Sequence, residues 1–118
     1  MSTKIKICGI TNSKNALDAV DLGVDALGFV FFGESPRYIE PKKARKIINL
    51  LPSFVLRVGL FVNASKEEVL SAISDSSVNV LQFHGDEDEQ FCNQFNLPYI
   101  KAISFQDGVN LLEYCKLF

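Results

Sequence analysis

The sequence is poor in the residues that mark metal centres, disulfide-rich folds and nucleic-acid-binding surfaces. It has no Trp and one His, and its three cysteines, Cys8, Cys92 and Cys115, are too widely spaced for a zinc-binding CxxC motif. Its 12 Lys and Arg against 14 Asp and Glu give a net charge of −2, and no uninterrupted basic run exceeds two residues. We therefore expect no metal and no nucleic-acid partner.

The sequence also lacks an apolar run long enough to cross a membrane, which takes about 20 residues. Residues 1–4 lead directly into a predicted strand, without the apolar core of a signal peptide. An odd number of distant cysteines suits an environment in which thiols stay reduced. These absences predict a cytoplasmic protein with no membrane partner.

The composition is that of one globular domain, which we expect to span residues 1–118. Hydrophobic residues make up 47% and charged residues 22% of the chain, enough to bury a core without disulfides or metal. The apolar pattern alternates five times between strand and helix periodicity, with strands predicted to begin near residues 4, 26, 54, 78 and 99. A fifth helical stripe carries Leu111, Leu112 and Cys115.

Capping residues mark several helix boundaries. Gly23 is placed to end the first helix, Pro41 to open the second, and Ser65 forms a capping box with Glu68 at the start of the third. The apolar stripes of the first and third helices are predicted to comprise Ala16, Leu17 and Val20, and Val69, Leu70 and Ile73. The third strand is predicted over residues 54–62.

Strictly alternating strands and helices predict a parallel sheet with helical crossovers in an α/β fold. The almost continuous apolar run of residues 26–32 agrees, because strands buried on both faces have this composition. Two architectures remain open. A five-stranded open parallel flavodoxin-like sheet fits 118 residues, whereas a (βα)8 TIM barrel needs eight units and about 200 residues or more. Length alone favours the open sheet.

Parallel sheets bind ligands at the carboxyl ends of their strands. In this chain those ends are predicted to carry Cys8, Arg37, Asn63 and His84. Cys8 shares a strand face with Lys6, and a nearby cation favours the thiolate form of cysteine.

Other residues near these ends have structural interpretations. Asn63 fits a turn or cap better than a ligand, and Cys92 and Cys115 lie on apolar stripes and are predicted core residues. No GxGxxG or GxxxxGK[ST] motif is present, which disfavours a dinucleotide or flavin binder.

Five segments, each at or near a strand end, resemble the phosphoribosylanthranilate isomerase family of tryptophan biosynthesis. They are residues 6–11 (KICGIT), 26–31 (ALGFVF), 35–39 (SPRYI), 58–63 (VGLFVN) and 81–86 (LQFHGD). The resemblance implies a TIM barrel, of which this chain holds about five βα units. It also implies an Amadori rearrangement, in which the small-molecule substrate phosphoribosylanthranilate, an aminoaldose phosphate, becomes an aminoketose phosphate without a cofactor.

The resemblance assigns roles to individual residues. Cys8 matches the general base of the family, and Arg37 matches the arginine that binds the anthranilate carboxylate of the substrate. Gln82 and His84 share a strand face, and we expect both to face the substrate.

The family's general acid is an aspartate at the end of the sixth strand, and its phosphate site follows the seventh and eighth strands. The 118 residues stop where a sixth strand would begin, and neither Asp86 nor Asp107 matches the motif of that aspartate. We therefore expect the 118-residue chain alone to have little or no isomerase activity. The alternative is an inactive barrel fragment that associates with copies of itself through open sheet edges, or pairs with a completing chain.

Overall fold

The computed structural model describes residues 3–103. Within this range five strands alternate with four helices: β1 Lys6–Cys8, α1 Ser13–Asp21, β2 Ala26–Val30, α2 Pro41–Ile48, β3 Leu56–Phe61, α3 Lys66–Ser76, β4 Val80–Phe83, α4 Glu89–Asn93 and β5 Tyr99–Lys101. The predicted helical stripe with Leu111, Leu112 and Cys115 lies outside the described residues. None of the helices within residues 3–103 combines the length and apolarity that crossing a bilayer requires.

The strands form one parallel sheet in the order β1-β2-β3-β4-β5. A flavodoxin-like sheet has the order 2-1-3-4-5, in which the first strand lies between the second and third. Here β1 pairs only with β2 among the described residues. The flavodoxin-like alternative is therefore wrong, and the sequential order is that of five successive units of a TIM barrel.

A contact across the sheet shows that it is strongly curved. The ammonium group of Lys6 in β1 donates a hydrogen bond to Oε1 of Gln82 in β4. The backbones of the first and fourth strands of a flat sheet would lie about 14 Å apart, since neighbouring strands are about 4.8 Å apart. The face that carries both side chains is therefore concave, and Ala26, Val58 and Val80 form a small buried cluster on it.

The main core lies between the convex face of the sheet and the helices. Large side chains from the three central strands point into it: Leu27, Phe29, Phe61, Leu81 and Phe83. Small and branched residues of the helices pack against them, including Ala16, Ala44, Ile47, Val69 and Cys92. Leu17 and Leu70, predicted on apolar stripes, are 39% and 46% exposed, so the buried stripes of α1 and α3 are narrower than predicted.

The predicted helix boundaries are confirmed where a capping residue marked them. Oγ of Ser65 accepts a hydrogen bond from the Glu68 N–H at 3.1 Å, and Pro41 is the first residue of α2. Gly23 follows the C-cap of α1 with a φ of +90°, a conformation that costs glycine little.

The third strand begins two residues later than predicted. Residues 53 and 54 belong to a turn, and Phe54 is 88% exposed. The guanidinium group of Arg57 holds this turn by donating to the backbone carbonyls of Leu51, Pro52, Ser53 and Val55 at 2.6 to 3.4 Å. The turn held by Arg57 therefore precedes the strand, and pairing with β2 begins at Leu56.

A buried ion pair joins the ends of β3, β4 and β5. The Glu87 carboxylate accepts hydrogen bonds from the N–H groups of Asn63 and Gly85, both at 2.8 Å, and pairs with the Lys101 ammonium at 3.0 Å. Both side chains are at most 5% exposed. Burial opposes ionisation of Glu87, but the backbone N–H groups, led by that of Asn63, and Lys101 outweigh it. The pKa of Glu87 is therefore lowered.

Phe83 is the aromatic centre of the core, fully buried and in contact with the rings of Phe61, Phe91, Phe95 and Tyr99 at centroid distances of 5.8 to 6.1 Å. We expect Phe83→Ala to lower the free energy of unfolding by about 3–5 kcal/mol, because it removes these contacts and leaves a cavity. Urea unfolding measures the loss. The matched control, Phe54→Ala at an exposed ring, should change it by less than about 0.5 kcal/mol. Equal losses in the two variants would contradict this description of the core.

Removing the Glu87 charge should destabilise the fold by about 3–5 kcal/mol, because Glu87→Gln leaves the buried Lys101 ammonium without a carboxylate. Asp18→Asn breaks the exposed pair with Lys14 and should cost at most about 1 kcal/mol.

The same group predicts a pH dependence. Since the pKa of Glu87 is lower in the folded state, its contribution is complete above the unfolded value of about 4.3 and is lost as pH falls toward the folded value. Unfolding free energies measured from pH 7 to 3 should fall less steeply with acidification in Glu87→Gln than in the unsubstituted chain. Parallel pH profiles would show that this carboxylate is not the linked group.

Candidate active site

The carboxyl ends of all five strands meet at one rim of the curved sheet, since the strands are parallel. The predicted site residues Cys8 and Gln82 lie within strands that reach this rim, and His84 directly follows one of them. Arg37 belongs to the loop between β2 and α2. Three separate segments of the chain therefore bring the predicted groups to the same end of the fold.

Cys8 is the last residue of β1 and is half-buried. Its Sγ lies over Gly28 of the neighbouring strand, 2.9 Å from the position that a β-carbon on Gly28 would take. Immediately after the thiol the chain turns away from the sheet. Gly9 has a φ of +90°, and the N–H groups of Gly9 and Ile10 both donate to the carbonyl oxygen of Gly28, at 3.0 and 3.1 Å.

The loop that carries Arg37 folds back onto β2. The N–H of Ile39 donates to the Val30 carbonyl oxygen at 3.1 Å, and Oγ of Ser35 accepts from the N–H of Arg37 at 3.1 Å. The Arg37 side chain then extends across Gly9, with its Cδ 2.5 Å and its Nη1 3.2 Å from the position of an added β-carbon. The structure therefore places the exposed arginine against the residue that follows Cys8.

The structure gives Gln82 a partner within the protein. Its side chain lies on the concave face, 9% exposed, and its Oε1 accepts from the Lys6 ammonium. Lys6 precedes Cys8 by two residues in β1, so the amide holds a cation on the face that carries the thiol. The predicted contact of Gln82 with substrate stays a prediction.

His84 directly follows β4 and is exposed. Its N–H donates to the Phe61 carbonyl oxygen at 2.9 Å, which continues the pairing of β3 with β4. Its imidazole makes no hydrogen bond to any residue in the range 3–103, so the side chain is available at the rim. Its predicted role toward substrate remains untested by these contacts.

Asn63 has the structural role that the sequence favours. Its φ of +51° lies in the left-handed region, and its Oδ1 accepts from the N–H of Asp86 at 2.7 Å. The same oxygen lies 2.5 Å from the position of an added β-carbon on Gly85. Asn63 therefore joins the loops after β3 and β4.

The cysteines differ in their surroundings. Cys92 in α4 is fully buried, and burial raises the pKa of its thiol to about 11. Its predicted place in the core is confirmed, whereas Cys115 lies outside the described residues. Among the described cysteines Cys8 is therefore the one with an accessible thiol.

Two polar contacts near the site were not predicted from the sequence. The pairs Lys6–Gln82 and Glu87–Lys101 join residues 76 and 14 positions apart. A lysine between two apolar residues of a predicted strand was the available signal for each pair, since such a charge needs a partner when it is buried.

The arrangement combines two chemical abilities. A half-buried thiol with a lysine on the same strand face can exchange a proton. The guanidinium group that lies across the next residue, Gly9, can bind a planar carboxylate through two parallel hydrogen bonds. Neither ability requires a metal or a redox group.

Comparison with known proteins gives the family. The model of the N-(5'phosphoribosyl)anthranilate (PRA) isomerase family matches residues 5–118. The N-(5'-phosphoribosyl)anthranilate isomerases of Nitrosomonas eutropha and Nitrosospira multiformis are 48% and 49% identical to this chain over its whole length. The chain spans 57% of the length of each of these relatives.

Solved structures agree. The phosphoribosyl anthranilate isomerase of Thermotoga maritima is 45% identical to this chain, with a TM-score of 0.84. The match covers 86% of this chain and 51% of the Thermotoga chain. Another solved phosphoribosyl anthranilate isomerase is in complex with reduced 1-(o-carboxyphenylamino)-1-deoxyribulose 5-phosphate. It is 44% identical to this chain with a TM-score of 0.86, and the match covers 89% of this chain and 55% of the other chain. The fold is therefore of the TIM-barrel type, represented here by five strands in one parallel sheet. The chain belongs to the N-(5'-phosphoribosyl)anthranilate isomerase family.

Proposed function

We propose that this chain carries the general base and the carboxylate-binding group of an N-(5'-phosphoribosyl)anthranilate isomerase. The observation that supports this most is the packing of the Arg37 side chain across Gly9, the residue that follows Cys8 in the chain. The two groups come from different βα units, and a substrate with a carboxylate on one side of a reacting carbon would span them. The full site would be completed by the remaining units of the barrel.

The ligand of one relative supports the role of Arg37. The solved isomerase with a bound reduced 1-(o-carboxyphenylamino)-1-deoxyribulose 5-phosphate holds a molecule with a carboxylate on its aromatic ring. A guanidinium fork matches the geometry of a carboxylate better than an ammonium group does. Arg37 is exposed at the rim, and its aliphatic stem is held against Gly9. We therefore assign the anthranilate carboxylate to Arg37.

The proposed reaction consists of proton transfers. A general acid protonates the furanose ring oxygen of the substrate, and the ring opens to a Schiff base. The Cys8 thiolate removes the proton from C2 of the sugar, which gives an enolamine, and tautomerisation yields the aminoketose. Electrons move only within the substrate, so no oxidant, reductant or cofactor is consumed. We assign the acid to the sixth βα unit of the completed barrel, as the family resemblance implies.

Neighbouring residues take supporting roles in this proposal. Lys6 supplies positive charge on the strand face of Cys8, and Gln82 fixes its ammonium group. His84, exposed at the end of β4, is available to face the substrate. We propose a cytoplasmic location, where Cys8 stays reduced and able to act as a base.

A second possibility rests on the edges of the sheet. Within residues 3–103, β1 and β5 each have a strand partner on one side only, and Ile5, Ile7 and Ile100 near these edges are 38 to 48% exposed. Unpaired strand edges favour association with another chain. The chain by itself would then form a discrete oligomer, which sedimentation distinguishes from a monomer.

The proposed base can be tested in a barrel completed with the last three βα units of a relative such as that of Nitrosospira multiformis. Cys8→Ala should lower kcat by about 10²–10⁴-fold with little change in KM, the range for loss of a general base. The control is Cys92→Ala, which removes a buried thiol from α4 and should leave kcat unchanged. An unchanged kcat in Cys8→Ala would show that this thiol only packs.

The proposed carboxylate-binding role of Arg37 predicts an effect on KM instead of kcat. In the same completed barrel, Arg37→Ala should raise KM by about 10–100-fold, since a hydrogen bond to a charged group contributes about 1.5–3 kcal/mol. Arg37→Lys should recover only part of this loss, because it restores the charge without the fork. Arg45→Ala changes an exposed arginine on α2 and serves as the control. If Arg37→Ala and Arg45→Ala have the same KM, Arg37 does not bind the substrate.

A further inference from the structure

We propose that two glycines position the reactive groups of this site: Gly28 provides the space in which the Cys8 thiol lies, and Gly9 provides the surface on which the Arg37 side chain lies. That the two positioned groups act in catalysis rests on the proposed function. The geometry on which it depends is independent of that function.

Gly28 is crowded on the side where a side chain would be. An added β-carbon would lie 2.9 Å from Sγ, 3.2 Å from Cα and 3.3 Å from Cβ of Cys8. Real β-carbons essentially never approach another heavy atom within 3.0 Å, so an alanine here would displace the thiol. The Gly28 carbonyl oxygen also accepts the N–H groups of Gly9 and Ile10, which fixes the backbone directly after Cys8. One residue of β2 therefore holds both the thiol and the turn that follows it.

Gly9 is crowded by a different group. An added β-carbon would lie 2.5 Å from Cδ, 3.2 Å from Nη1 and 3.4 Å from Nε of Arg37. All three atoms belong to a long side chain that can rotate away at little cost to the fold. The substitution would therefore move the guanidinium group while leaving the sheet in place. Gly9 also has a φ of +90°, so an alanine here carries a backbone penalty as well.

The chain contains a matched control for each glycine. Gly59 in β3 is also crowded, because its added β-carbon would lie 3.0 Å from Phe31 Cε2 and 3.1 Å from Val78 Cγ2, away from Cys8. Gly23 has the same φ of +90° as Gly9, but nothing lies within 4 Å of its added β-carbon. Comparison with these controls separates displacement of a reactive group from crowding or backbone strain.

The alkylation rate of Cys8 measures both effects in the 118-residue chain, without any isomerase assay. Peptide mapping by mass spectrometry distinguishes Cys8 from the other two cysteines. In Gly28→Ala we expect the displaced thiol to turn toward the side of β1 that has no strand partner within residues 3–103, so its reaction with iodoacetamide should be severalfold faster. Gly59→Ala should leave the Cys8 rate unchanged. Equal Cys8 rates in Gly28→Ala and Gly59→Ala would overturn the role of Gly28.

The ratio of the iodoacetate rate to the iodoacetamide rate reports the position of Arg37. The guanidinium group attracts the anionic reagent and not the neutral one. A positive charge about 4 Å away in water should raise the ratio by about fivefold. Gly9→Ala should lower this ratio to the value found in Arg37→Ala, and Gly23→Ala should leave it unchanged. Equal ratios in Gly9→Ala and Gly23→Ala would overturn the role of Gly9.

Circular dichroism and thermal unfolding identify any variant that fails to fold. Such a variant is measured again in the completed barrel, where Gly28→Ala and Gly9→Ala are compared with the same controls and the same equal rates or ratios would overturn each role. A chain that shows both rate effects but has no isomerase activity when its barrel is completed would contradict the proposed function and leave the glycine roles supported.

Discussion

The curvature of the parallel sheet is the constraint on which the rest of the structure depends. Sequential parallel pairing places every strand end at one rim, and the curvature turns the face with Lys6, Cys8 and Gln82 inward. The contact between Lys6 and Gln82 exists only because the sheet curls across two intervening strands. In a flat sheet the same residues would be separate surface groups, and a site formed by several βα units would not converge.

Two polar pairs hold the two faces of this sheet in different ways. On the concave face, the Lys6 ammonium bonds to a neutral amide, which keeps a cation on the same face as the thiol. On the convex side, Glu87 and Lys101 form a buried ion pair that also binds backbone groups after β3 and β4. The second pair fixes the rim near His84, while the first holds a cation on the strand face of Cys8.

The sequence predicted the local features because these depend on neighbouring residues. The alternation of strands and helices, the capping box at Ser65 and the place of Cys8 at a strand end all follow from short patterns. Strand order could not be obtained in this way, because periodicity shows which residues are buried and not which strands are neighbours. Length even favoured the wrong, flavodoxin-like alternative, and the family resemblance was needed to indicate the barrel.

The same distinction between local patterns and long-range contacts applies to the candidate site. Cys8 and Arg37 were identified from their motifs, but the contact of Arg37 with Gly9, the residue after Cys8, depends on how the loop after β2 folds back. The engagement of Gln82 by Lys6 depends on curvature that no local pattern encodes.

The central claim is that Cys8 and Arg37 belong to one substrate site. Its most direct test is the alkylation rate of Cys8 in the completed barrel, with and without the reduced carboxyphenylamino-deoxyribulose phosphate at a concentration that inhibits turnover. If the two residues bind the same molecule, the analogue at its half-inhibiting concentration should slow alkylation in the unsubstituted protein. It should slow it much less in Arg37→Ala, which we expect to bind about 10–100-fold more weakly. Alkylation at the same rate with and without the inhibiting analogue would contradict the claim.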